Sequence, residues 1–160
     1  MGGKPKSAPD YMAVLRKLKQ ACIGGAAPIN TYKGDMDDMP VLEDRVDRIL
    51  GIINDKERPA SNMLFFVMYD IESNKVRYNV VKYLIAKGCT RIQKSIFLAD
   101  LPSDAYDAIK QDLAEVQALY DNHDSIIVCP VSADMLGSMK IIGQSINLDV
   151  ILHNKSTLFF

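Results

Sequence analysis

Cysteine is scarce in this sequence: Cys22, Cys89 and Cys129 are the three in 160 residues, far apart and without a C-x-x-C pair. That spacing offers neither a disulfide framework nor a zinc-ligand pattern. Cys89 and Cys129 sit beside or within apolar runs, the ordinary setting of a buried small thiol. Histidine is rarer still, and His123 and His153 each lack a ligand-spaced neighbour. No apolar run reaches the roughly 18 residues of a membrane span. The basic residues 1–7 are not followed by an apolar targeting segment. Serines are plentiful, but no G-x-S-x-G or S-x-x-K pattern supports acyl transfer, and Gly24-Gly25 belongs to no phosphate-cradling G-x-x-x-x-G-K loop. The expectation is a soluble, cytoplasmic protein with no membrane partner.

An excess of charge is also missing. The 19 basic and 20 acidic residues leave a net charge of −1, which excludes a globally basic nucleic-acid binder. The balance is uneven along the chain. Residues 63–100 carry six basic side chains (Lys75, Arg77, Lys82, Lys87, Arg91, Lys94) against three acids, whereas residues 101–160 carry three against eight. One part can meet phosphate, although solvated helix faces explain the same charges.

What the sequence does supply is apolar material, 48% of the chain, enough for a real core. Residues 1–62 read as an extension of two amphipathic helices and a linker. In the first helix, capped by Asp10, Tyr11, Leu15, Leu18 and Cys22 share a face. In the second, after Pro40, Leu42, Val46, Ile49, Leu50 and Ile53 do so. Two such helices are too little to fold alone, so they should pack on the main domain or a partner.

The main domain is expected over residues 63–160. Residues 63–69 are an unbroken apolar run rich in β-formers, which predicts a central strand covered on both faces, ended by Asp70. Residues 75–87 repeat at helical spacing, with Val76, Val80 and Leu84 in line, Tyr78, Val81 and Ile85 beside them, and Gly88 as the stop. Residues 91–99 read as strand, divided around Gln93-Lys94. Pro102, Ser103 and Asp104 open a helix with an inward stripe of Tyr106, Ile109, Leu113, Val116 and Tyr120. Residues 125–131 are a strand whose Pro130 argues for an edge. A turn around residues 133–137 follows, then a last strand candidate over residues 149–153. The order predicts an α+β, ferredoxin-like βαββαβ sandwich with an extra C-terminal strand.

Asp70 is the best candidate for chemistry. A strand-end carboxylate is ordinarily a turn or cap residue. Its functional alternative is an oxygen ligand for Mg²⁺, which accepts one or two carboxylates together with water and phosphate oxygens. A two-fold dimer would supply a second Asp70. Arg77 and Arg91 fall where they could reach phosphate near the strand end, and Phe97 reads as core.

The run Leu64-Phe-Phe-Val-Met-Tyr-Asp70, with Arg77 and Arg91-Ile-Gln-Lys-Ser-Ile-Phe97, resembles one known family, the small CRISPR-associated spacer-acquisition subunit called Cas-two, over residues 63–153. The resemblance implies a ferredoxin-like homodimer in antiviral defence, with the strand-end aspartates of two protomers facing each other and binding Mg²⁺ or another divalent metal. Some members are metal-dependent endonucleases on RNA or duplex DNA. Others bridge two Cas-one integrase dimers and hold duplex DNA. On this resemblance Asp70 takes the metal and catalytic role, and Arg77, Arg91 and Lys94 the nucleic-acid contacts. Tyr69, Ser95 and Phe97 take supporting places. Asn79 stands where some members carry a second arginine, and residues 1–62 lie outside the usual pattern. A toxin-type ribonuclease of the virulence-associated D kind and a purely structural adaptor are the alternatives.

Overall fold

The computed structural model describes residues 13, 16–18, 39, 41–55, 57–119 and 123–140. Helix α1 spans Leu42–Ile53, strand β1 Asn62–Asp70 and helix α2 Asn74–Ala86. Strands β2 and β3 span Thr90–Gln93 and Ile96–Pro102, helix α3 Ser103–Ala118, strand β4 Ser125–Val131 and helix α4 Ala133–Gly137. The strands form one antiparallel sheet in the order β2-β3-β1-β4. This is the α+β, ferredoxin-like arrangement expected from the order of elements. β1 lies inside and β4 at one edge, where Pro130 costs no ladder bond inside the sheet.

β1 shows why an unbroken apolar run was needed. Successive side chains alternate between the faces of a strand. Phe65, Val67 and Tyr69 join Val76, Val80, Val81, Tyr83 and Leu84 of α2 and Ile109, Leu113 and Val116 of α3 in the main core. Leu64 and Phe66 enter a second core with Ile49, Ile52 and Ile53 of α1, Ile92, Leu98 and Leu136. Each fully buried aliphatic or aromatic side chain contributes roughly 1.5–3 kcal/mol of transfer free energy.

The extension therefore packs on both sides of the sheet. Leu18 is buried in the main core, and α1 lies across the opposite face, where Arg45 Nη1 donates to the Ile92 carbonyl at 2.9 Å. The proposed cap Asp10, the face residues Tyr11, Leu15 and Cys22, Tyr120, the strand candidate at 149–153 with His153, and the apolar end Leu158-Phe159-Phe160 lie outside the described residues.

Two local expectations change. Tyr78, placed beside the apolar stripe of α2, is 40% exposed because it falls on the opposite side of the helix from Val76, Val80 and Leu84. Tyr83, three residues past Val80, is buried instead, and its hydroxyl donates to Asp112 Oδ2 on α3 at 2.6 Å. The turn at 133–137 is a short helix, capped by Ser132 Oγ, which accepts from the Met135 N–H at 3.1 Å. The strand over 91–99 divides as expected, with the turn at Lys94-Ser95 between an antiparallel pair. Gly88 ends α2 as anticipated, with φ of 93°, a left-handed backbone that costs other L-residues strain.

Candidate functional site

Three segments meet where β1 emerges from the sheet. Tyr69 and Asp70 end β1, the loop 71–73 leads into α2, and the Lys94-Ser95 turn joins β2 to β3. Ile71 is buried and pegs the loop to the main core. Ser73 caps α2, its Oγ accepting from the Val76 N–H at 3.4 Å. Across the strand end, Asp124 Oδ1 accepts from the Glu72 N–H at 2.9 Å. Sequence inspection did not find that bond. Fifty-two residues separate its partners, so only the antiparallel pairing of Asp70 with Ser125 brings them together. Ser73 did have a local signal, as a capping residue just before an apolar helical repeat.

Tyr69 lies on the helix-covered face. Its hydroxyl donates to the Lys94 carbonyl at 3.0 Å, and its N–H donates to the Ser95 carbonyl at 3.1 Å. Its ring rests beside Phe97, centroids 6.2 Å apart. Burial pushes the Tyr69 phenol above its usual range, and the positive charges of Arg91 and Arg77 oppose that shift. Arg91 is 8% exposed. Its Nη2 donates to the same Lys94 carbonyl at 2.8 Å. An irregularity in the β2–β3 register between Arg91 and Gln93 accompanies the burial of consecutive residues Arg91 and Ile92.

Arg77 projects back over the loop. Nη1 donates to the Ile71 carbonyl at 3.1 Å and Nη2 donates to Asn74 Oδ1. Lys94 is exposed on its turn, and Ser95 is half-buried. Asp70 is also exposed, and by strand alternation it falls on the face opposite Tyr69. The structure thus gathers Tyr69, Arg91, Phe97, the Lys94-Ser95 backbone and Arg77 into one cluster, with Asp70 at its margin. Among the described residues no three His, Cys, Asp or Glu side chains come together as a metal-binding group, and His123 is an exposed residue. The arrangement is a rigid turn carrying a cation, beside a carboxylate open to solvent.

This strand-end pattern lies within a stretch, residues 63–139, that matches the family model for CRISPR-associated protein Cas2. Residues 63–139 belong to the Cas2 family. The family gives the chain a CRISPR-associated function. The Cas2 stretch begins at the second residue of β1 and runs through α4, so it contains the described sheet except Asn62 and leaves out α1. A search of curated proteins returns no match to the chain. Among the described residues no helix is long and apolar enough to cross a membrane.

Proposed function

We propose that the protein acts in CRISPR spacer acquisition as a homodimer that binds duplex DNA and bridges Cas-one integrase dimers. The observation that carries this reading is the Cas2-type strand end, with the exposed Lys94 turn held in place by Tyr69 and Arg91. Arg77 and Lys94 supply positive charge to phosphate, and Arg91 acts from below by fixing the turn. The experiment is co-purification and size-exclusion chromatography with the integrase and a DNA duplex. A stable ternary complex that Arg77→Ala with Lys94→Ala weakens supports the reading; an integrase–DNA complex that excludes the protein overturns it.

The exposure of Asp70 favours a second activity, Mg²⁺-dependent phosphodiester cleavage of DNA or RNA. One open carboxylate per chain does not make an all-protein cage, but it fits a cation shared with a second copy's Asp70, water and phosphate oxygens. Such a cation, when bound, supplies Lewis-acid polarisation of the phosphate. Asp70 would hold it, while Arg77 and Lys94 would orient the backbone. The test compares cleavage by purified protein and Asp70→Ala with and without Mg²⁺; equal rates end the catalytic assignment.

A further inference from the structure

The charge asymmetry of the sequence resolves onto one helix. α2 carries Lys75, Arg77 and Lys82 and no acidic residue. The other long helices mix signs: α1 holds Asp44, Arg45, Asp47 and Arg48, and α3 holds Asp104, Asp107, Lys110, Asp112 and Glu115. A merely solvated helix gains from mixed signs, through pairs three and four residues apart. α2 forgoes them. It also places Lys75 and Arg77 in its first turns, against the helix dipole, and carries no basic residue in its last turn. Its charges are not arranged for helix stability.

Lys75, Tyr78 and Lys82 follow one another at i, i+3 and i+7, so they share a single outward line. All three are exposed. Tyr78 is 40% exposed although aromatic, and the Lys82 ammonium stands 4.3 Å over its ring. The pair holds Lys82 outward. At about 1.5 Å per residue the line spans roughly 10 Å, enough to follow consecutive phosphates of a strand. On α3, by contrast, Asp107 pairs with Lys110 and Glu115 with Lys17, so its charges are offset by salt bridges.

We infer that the Lys75–Tyr78–Lys82 line of α2 is a second nucleic-acid contact, along which the phosphate backbone of a duplex runs away from the Asp70 end. The inference rests on the proposed duplex binding and adds the path that the duplex takes. It is tested on the full chain by fluorescence anisotropy of a labelled DNA duplex over a salt series. Lys75→Gln with Lys82→Gln lowers the slope of log affinity against log salt by nearly two units. Tyr78→Ala weakens binding about twofold to fivefold, and Tyr78→Phe retains it. Lys110→Gln, which removes a cation paired with Asp107 on α3, leaves the slope unchanged. A wild-type slope in the Lys75/Lys82 double variant overturns the α2 path. If Arg77→Ala with Lys94→Ala still loses affinity, the proposed function survives that failure. Absence of duplex binding by the wild-type protein overturns both.

Discussion

Tyr69 and Arg91 converge on one acceptor: the phenol hydroxyl and the guanidinium Nη2 both donate to the Lys94 carbonyl oxygen, at 3.0 and 2.8 Å. The two donors come from different strands, and together they fix the turn that presents Lys94. Because they share an acceptor, their contributions should not add. Tyr69→Phe is expected to cost about 1 kcal/mol, and Arg91→Ala about 2–3 kcal/mol for loss of a charged, buried donor. A double-mutant cycle by urea denaturation should show coupling of at least about 0.5 kcal/mol. Strict additivity would mean that the carbonyl does not link them.

The buried Tyr83 ties the two main helices together through its 2.6 Å bond to Asp112 Oδ2. Tyr83→Phe keeps the ring in the core and removes the hydroxyl. A loss of about 1.5–3 kcal/mol is expected, as for a hydrogen bond to a charged acceptor. Thermal unfolding of the wild type and Tyr83→Phe would measure it, and an unchanged midpoint would assign the bond no role.

α1 should detach before the sheet does. It is joined to β1 by a loop, and its hold on the second core rests on Ile49, Ile52 and Ile53 with the Arg45 bond to the Ile92 carbonyl. Ile49→Asp places a charge in that core. Hydrogen exchange is expected to rise at least tenfold across residues 42–53 while β1 and β3 stay protected. Equal loss of protection in both would show a single cooperative unit.

Burial pushes the Cys89 thiol up to about 12 from an ordinary value of 9.0. The folded chain therefore holds this proton more tightly than the unfolded one. The resulting stability is complete below about pH 9 and is lost as pH rises towards about 12. Relative to pH 8, the thiol accounts for a loss of about 2 kcal/mol at pH 10.5. Urea midpoints at the two pH values should differ less for Cys89→Ala than for the wild type. An identical pH dependence would remove Cys89 as the cause. At pH 8 the same burial should leave Cys89 unlabelled by thiol reagents until the protein is denatured.

Much of the architecture was legible because it depends on local chemistry. The two-sided burial of β1 follows from the apolar run at residues 63–69, and the end of α2 from a glycine able to adopt a positive φ. The edge position of Pro130 follows from its missing donor. Asp70 could be located as a strand-end carboxylate on the same grounds. The burial of Tyr83, three residues past Val80, and the exposure of Tyr78, two residues before it, follow from helical spacing, but only the tertiary structure supplies Tyr83 with its partner, Asp112 on α3.

The sequence alone determined the strands at residues 63–69, 91–99 and 125–131 and the helices after Pro40, Asp70 and Pro102, that Asp70 ends the central strand, and that positive charge gathers in residues 63–100. The tertiary structure decided what those charges do. It turned Arg91 inward to the Lys94 carbonyl beside Tyr69, set Asp70 on the other face of the strand, and left Lys75 and Lys82 on an outward line of α2. The physical reason is that a side chain's partner is set by strand register and helix packing. Those bring together atoms far apart in the chain, and no local pattern encodes that distance.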